Sequence, residues 1–243
     1  MKYLLELAYK GTQYSGWQKQ INAPSIQEVL ESAMQKMLHQ KINCIGCGRT
    51  DAGVHAHQFF CHFVYNEEIK FDVVQRLNKM LPDDISIYKC TEVDKEFHAQ
   101  HSASSRAYTY SIHLRKNPFL SEISTFYEPH GLEIKKMKDA TVLIKNATDF
   151  KAFCKQPRVY KSSVCNIMSA QLSYLEKENK INIHIKSNRF LRGMMRLLVG
   201  NMLEVGYGKL SIQAFEAALQ NGTSLPFYKA AYPQGLSLTE VIY

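Results

Sequence analysis

The stretch Gly48-Arg49-Thr50-Asp51-Ala52-Gly53-Val54-His55 puts a single carboxylate in a tight turn between two apolar runs. Residues 42–47 before it read as a buried strand, and residues 58–65 after it alternate with β-branched and aromatic side chains. Asp51 therefore falls on a strand-to-strand loop. Glycines at 48 and 53 let the backbone turn sharply and leave room for something to approach, while Arg49 offers a fixed cation two residues from the acid. Asp and Gly are also ordinary turn residues, and a plain hairpin would use them in the same way.

Working outward, residues 3–9 read as a first strand ended by Gly11, and residues 11–18 as a loop carrying the only Trp, Trp17. Ser25 followed by Glu28 forms a capping box for a helix whose apolar stripe is Val29, Leu30, Ala33, Met37 and Leu38. A second helix over residues 73–80 stops before Pro82, and residues 85–90 read as a strand. The order β-α-β-β-α-β is that of a ferredoxin-like α+β unit, and RNA-recognition sheets use it too.

From Phe97 to Arg106 the text turns polar and small, which places a boundary between residues 1–103 and 104–243. Residues 107–114 alternate as a strand with Tyr108 and Tyr110 on one face, where cross-strand packing is the ordinary use for them. Helices are expected over residues 134–144, 149–153 and 212–219, a hairpin over 167–175 and 181–185, and a last strand over 235–243. The run 189–203 is apolar nearly all round at a period of 3.6, so it reads as a buried helix with Arg192 and Arg196 on one face. Arg192 can snorkel to the rim; Arg196, deeper in the run, needs a carboxylate or a phosphate.

The 243 residues carry a net charge of +8, which favours a polyanionic partner. Basic residues cluster at Lys135, Lys136 and Lys138, and again at Lys151, Lys155, Arg158 and Lys161, the second group interleaved with Phe150, Phe153 and Tyr160. No apolar run approaches the roughly 18 residues of a membrane span, and Glu6 interrupts any signal-peptide core, so the chain reads as cytoplasmic. Cys44 and Cys47 have CxxC spacing with His55, His57, Cys61 and His62 downstream, a zinc alternative. Against it, residues three apart on a strand face opposite ways and no second CxxC follows, so the reading is no metal.

GRTDAGVH resembles the active-site motif of the tRNA pseudouridine synthase A family. Tyr9-Lys10-Gly11, Tyr14, Gly16-Trp17-Gln18 and Ser25-Ile26-Gln27 are similar to that family's opening segment. Phe97-His98-Ala99 with Arg106, Tyr108 and Tyr110, and Phe190, Met194, Arg196, Val199 and Gly200, are similar to its later segments. The resemblance implies two ferredoxin-like (RRM-like) halves joined in an extended antiparallel sheet with flanking helices, the pseudouridine synthase fold. It implies isomerisation of uridine to pseudouridine at positions 38 to 40 of the tRNA anticodon stem-loop, by a homodimer that needs no cofactor. Asp51 becomes the catalytic carboxylate, acting either on C1′ or on the C2′ proton, and Arg196 the cation that holds it ionised. By the same resemblance Tyr108 is expected to stack on the target base, with Arg106 beside it in the same segment, and Arg49 to hold the flipped nucleotide through a phosphate. A non-catalytic RNA-binding module would keep the basic and aromatic residues without needing an Asp51–Arg196 pair.

Overall fold

In a computed structural model, which describes residues 1–223, 225 and 229–243, the chain divides into two compact units. They are Met1–Ser104 with Ser237–Tyr243, and Ser105–Leu236. The first unit begins β1 (Lys2–Tyr9), α1 (Ile26–Leu38), β2 (Ile45–Gly46), β3 (His55–Val64), α2 (Val73–Met80) and β4 (Ile85–Val93). The second holds β5 (Ser105–His113), β6 (Thr125–Phe126), α3 (Ile134–Asn146), β7 (Ile167–Leu175), β8 (Lys180–Ser187), α4 (Met194–Gly206) and α5 (Ile212–Asn221). The last strand, β9 (Leu236–Ile242), falls almost wholly in the first unit.

In the first unit β1 is central and antiparallel to both β4 and β3, and its alternation buries Tyr3, Leu5, Leu7 and Tyr9 on one face. The free edge of β3 is shared: β2 pairs antiparallel at His62 and Cys61, and β9 pairs parallel at His55 and Ala56, directly after the Asp51 loop. Ser25 caps α1 by accepting from the Glu28 N–H at 3.2 Å, and Asp72 caps α2 through the Gln75 N–H at 2.9 Å.

The expected strand over residues 42–47 is reduced to the two residues of β2. Side chains of α1 explain why: Glu31 accepts the Cys44 N–H at 2.8 Å and Gln27 donates to the Cys44 carbonyl at 3.0 Å, so the groups a ladder would use are already satisfied.

Close to the C-terminus, the Tyr243 ring packs on Phe60 and Phe97, and its hydroxyl donates to the Ala99 carbonyl at 2.8 Å. The Ala99 N–H in turn donates to Nδ1 of buried His62 at 3.1 Å. Burial, with His98 and Lys2 nearby, pushes His62 down from 6.5 to about 4; burial lowers His98 and His113 as well. The unfolded chain takes up these protons near pH 6.5, whereas folded His62 resists until about 4, so stability is lost as pH falls through that window. The melting temperature is expected to be lower at pH 5 than at pH 7, and the difference to shrink in His62→Gln; an unchanged difference contradicts this account.

In the second unit β5 and β7 flank β8 antiparallel, and β6 adds parallel to β5. The β7–β8 hairpin closes through a short turn ending at Asn179, whose φ of +52° suits Asn. α3 packs on β7 and against α4 and α5. α4 is buried along almost its whole length, as its apolar circumference requires. It starts later than expected, however: Gly193, at φ +74°, ends its backward propagation, and residues 189–193 form a loop. Arg192 and Arg196 therefore do not share a helix face. Arg192 lies before the helix and is exposed, while Arg196, in its first turn, is half-buried.

Candidate functional site

The Asp51 loop is shaped by the segment that follows β1. Gly16 sits at φ +91°, and a Cβ there would meet the Thr50 carbonyl oxygen at 2.2 Å; at Gly11 it would meet the Val54 oxygen at 2.0 Å. Only glycine lets the two loops lie this close. Hydrogen bonds lace them together: Trp17 N–H to Thr50 O at 3.3 Å, Gly53 N–H to Tyr14 O at 3.2 Å, and Gly11 N–H to His55 Nδ1 at 3.0 Å. Tyr9 and Thr50 share a hydroxyl–hydroxyl bond at 2.9 Å. The Trp17 ring packs tilted against Phe59 with centroids 4.2 Å apart, and Tyr14 donates to Asp84 at 2.7 Å; burial, and then this bond, raise the Tyr14 pKa.

Within this frame Asp51 is half-buried, Arg49 is exposed, and the space beside Gly48 is open. Gly53 has φ +75°, and the Val54 N–H returns to the Asp51 carbonyl at 3.2 Å, closing the turn. A carboxylate next to the bonded Thr50, on a loop fixed at both ends, loses little freedom when it meets a reacting atom. The pieces Tyr9, Gly11, Gly16 and Trp17 form a buttress for this loop, a role that periodicity gives no sign of.

In the second unit, Tyr108 and Tyr110 part company. Tyr110 is fully buried, its hydroxyl donating to the Tyr232 carbonyl at 2.8 Å and lying 3.0 Å from Thr125 Oγ1; burial raises its pKa, and it is structural. Tyr108 is half-buried and meets Phe190 edge-on at 4.9 Å. Arg106 reaches the Asn188 carbonyl at 3.4 Å. Arg196 Nε donates to the Ala231 carbonyl at 2.7 Å, and the Ala231 N–H returns to the Arg196 carbonyl at 2.8 Å. Phe150 and Phe153 are fully buried, so of the aromatic residues among the second basic cluster only Tyr160 reaches the surface.

Cys44, Cys47 and Cys61 are buried. Burial and the neighbouring Cys44 push the Cys61 thiol up, and burial takes Cys90 to about 11, so these two groups stay protonated at neutral pH. Nδ1 of His55 and Nδ1 of His62 already accept backbone N–H groups. Among the described residues no three His, Cys, Asp or Glu side chains gather as a metal would need.

The family model described as tRNA pseudouridine synthase matches residues 7–102 and 147–243. The tRNA pseudouridine synthase A of Bacteroides fragilis is 40% identical over 247 residues, covering 96% of this chain and 97% of that protein. The proteins of the same name from Clostridium kluyveri and Chlamydia muridarum are 35% and 36% identical, over 98% and 100% of this chain and 98% and 92% of their own lengths. The chain belongs to the tRNA pseudouridine synthase family, a family of isomerases.

Proposed function

We propose that the chain isomerises uridine to pseudouridine in tRNA, at positions 38 to 40 of the anticodon stem-loop, with Asp51 as the catalytic carboxylate. The observation that carries the reading is the Asp51 loop itself, held by backbone and hydroxyl bonds against a glycine-dependent buttress in a chain of this family. The C1′–N1 bond breaks, uracil turns, C1′ bonds to C5, the C5 proton leaves to solvent, and the freed N1 takes up a proton, so that product and substrate are isomers. No redox equivalent or nucleotide is consumed. Ionised Asp51 either attacks C1′ or removes the C2′ proton, and Arg196 is the cation assigned to keep it ionised. Tyr108 stacks on the uracil, and Arg106 and Arg49 bind the substrate, Arg49 through a phosphate. Extruding the base costs a few kcal/mol, offset by contacts to the RNA backbone.

The protein acts in the cytoplasm as a homodimer in this reading. Among the described residues no helix is long and apolar enough to cross a membrane. The test of function is release of tritium from tRNA labelled at uracil C5, with the product nucleoside located by digestion; tRNA bound without release refutes the reading. Arg196→Ala is expected to reduce turnover by on the order of 10²-fold or more and to lower the melting temperature, since the Ala231 carbonyl loses a charged donor. Wild-type turnover in this variant would remove Arg196 from the mechanism.

A further inference from the structure

The loop that precedes α4 and the segment 155–161 are bound to each other by groups that orient cations without cancelling them. The Lys155 N–H donates to the Arg192 carbonyl at 2.9 Å, and the Arg192 N–H donates to the Tyr160 hydroxyl at 3.0 Å. Arg192 Nη1 donates to Gln156 Oε1 at 2.7 Å, and the Arg189 guanidinium lies over the Tyr160 ring at 5.6 Å. The stem of Lys155 runs against Gly193, where a Cβ would come within 2.7–2.9 Å of its methylenes.

A merely solvated basic face has no reason for this arrangement, in which a neutral amide and an aromatic face hold two planar cations in place. No Asp or Glu occurs in residues 150–161 or 186–196; the adjacent Asp149, which accepts the Lys151 N–H at 2.9 Å, keeps its charge but belongs to neither segment. Arg158, Lys161 and Arg192 are exposed and Arg189 is half-buried. Between the two arginines stands Phe190, whose ring meets Tyr108.

We propose that Arg189 and Arg192, fixed on Tyr160 and Gln156, form a seat for RNA phosphodiesters next to the nucleotide that meets Tyr108. The partner is an RNA backbone: planar guanidinia bind phosphate oxygens in pairs, and a seat built on two arginines of one loop suits anions that recur along a strand. The seat rests on the reading of Tyr108 as the base-stacking residue, and it adds affinity without entering the chemistry.

The test is binding of an unmodified tRNA transcript to the full chain at several salt concentrations, alongside turnover. For the double variant Arg189→Gln, Arg192→Gln, affinity is expected to fall between about ten- and a hundredfold, and the slope of log affinity against log salt to lose about 2, with kcat at saturating tRNA retained. The double variant Arg189→Lys, Arg192→Lys keeps both charges and is expected to keep the slope. An unchanged slope in the glutamine variant overturns the seat, and so does an equal loss in the lysine variant, which assigns the effect to disrupted packing. Binding and isomerisation are read separately, so a wild type that binds tRNA through these arginines but forms no pseudouridine refutes the proposed function and leaves the seat standing.

Discussion

Asp51→Ala is expected to lower pseudouridine formation by on the order of 10⁴-fold or more, the usual scale for losing the one group that does covalent or proton-transfer work. Binding is expected to move little, and in the opposite sense. Affinity for tRNA comes chiefly from cations meeting phosphates, and Asp51 carries the same sign of charge as the ligand. Removing it leaves the complex as tight as in the wild type, or slightly tighter. The backbone bonds that hold the loop, from Trp17, Gly53 and Val54, do not involve the Asp51 side chain. Asp51→Asn separates shape from charge: it keeps the amide-sized side chain and is expected to be as inactive as the alanine variant. Activity near wild type in the asparagine variant would mean that the negative charge is not what the reaction uses.

Gly16→Ala is the second large effect, and it acts on stability. Its φ of +91° lies where an L side chain is strained, and its Cβ would stand 2.2 Å from the Thr50 carbonyl oxygen, a backbone atom that cannot swing aside. Strain of about 1–3 kcal/mol adds to an overpacking cost of similar size, roughly 4 kcal/mol in all. For a chain of this length that corresponds to a fall in melting temperature of about 10 °C. Gly48→Ala is the control, because its space is open and its φ is ordinary; it is expected to change stability by less than about 0.5 kcal/mol. Similar melting temperatures for the two variants would show that the opening segment does not buttress the Asp51 loop. Any Gly16→Ala protein that folds is also expected to turn over slowly, since the displaced Thr50 carries Asp51 with it.

These two glycines also mark how far the sequence could be read. Regular elements with a clean period came through nearly residue for residue: α2 at Val73–Met80 and β7 at Ile167–Leu175 end where their apolar patterns end. Two readings failed where something outside the period intervened. Side chains of α1 took the Cys44 backbone groups away from a ladder, and a left-handed Gly193 cut short the helical run that contains Arg192. The parallel pairing of β9 with β3 joins Ser237 to His55, and a contact so distant in sequence leaves no local trace.

The candidate site divides in the same way. Local pattern places Asp51 on a loop and nothing more; the chemical roles proposed for Asp51 and Tyr108 rest on resemblance alone. Tyr110, two residues on and on the same face by alternation, is fully buried, whereas Tyr108 is not. Burial of that kind is set by β6 and by the stretch around Tyr232, not by the strand's own letters. The Tyr9–Thr50 bond and the orientation of Arg192 by Gln156 are tertiary facts of the same sort.

The claim on which the account turns is that one carboxylate, Asp51, carries the isomerisation. Wild type and Asp51→Ala should be incubated side by side with unmodified tRNA tritiated at uracil C5, with tRNA binding measured in the same samples. The account predicts that wild type releases label from the anticodon stem-loop and forms pseudouridine there, while the variant binds the same tRNA and releases none above background. Full release by Asp51→Ala would contradict it.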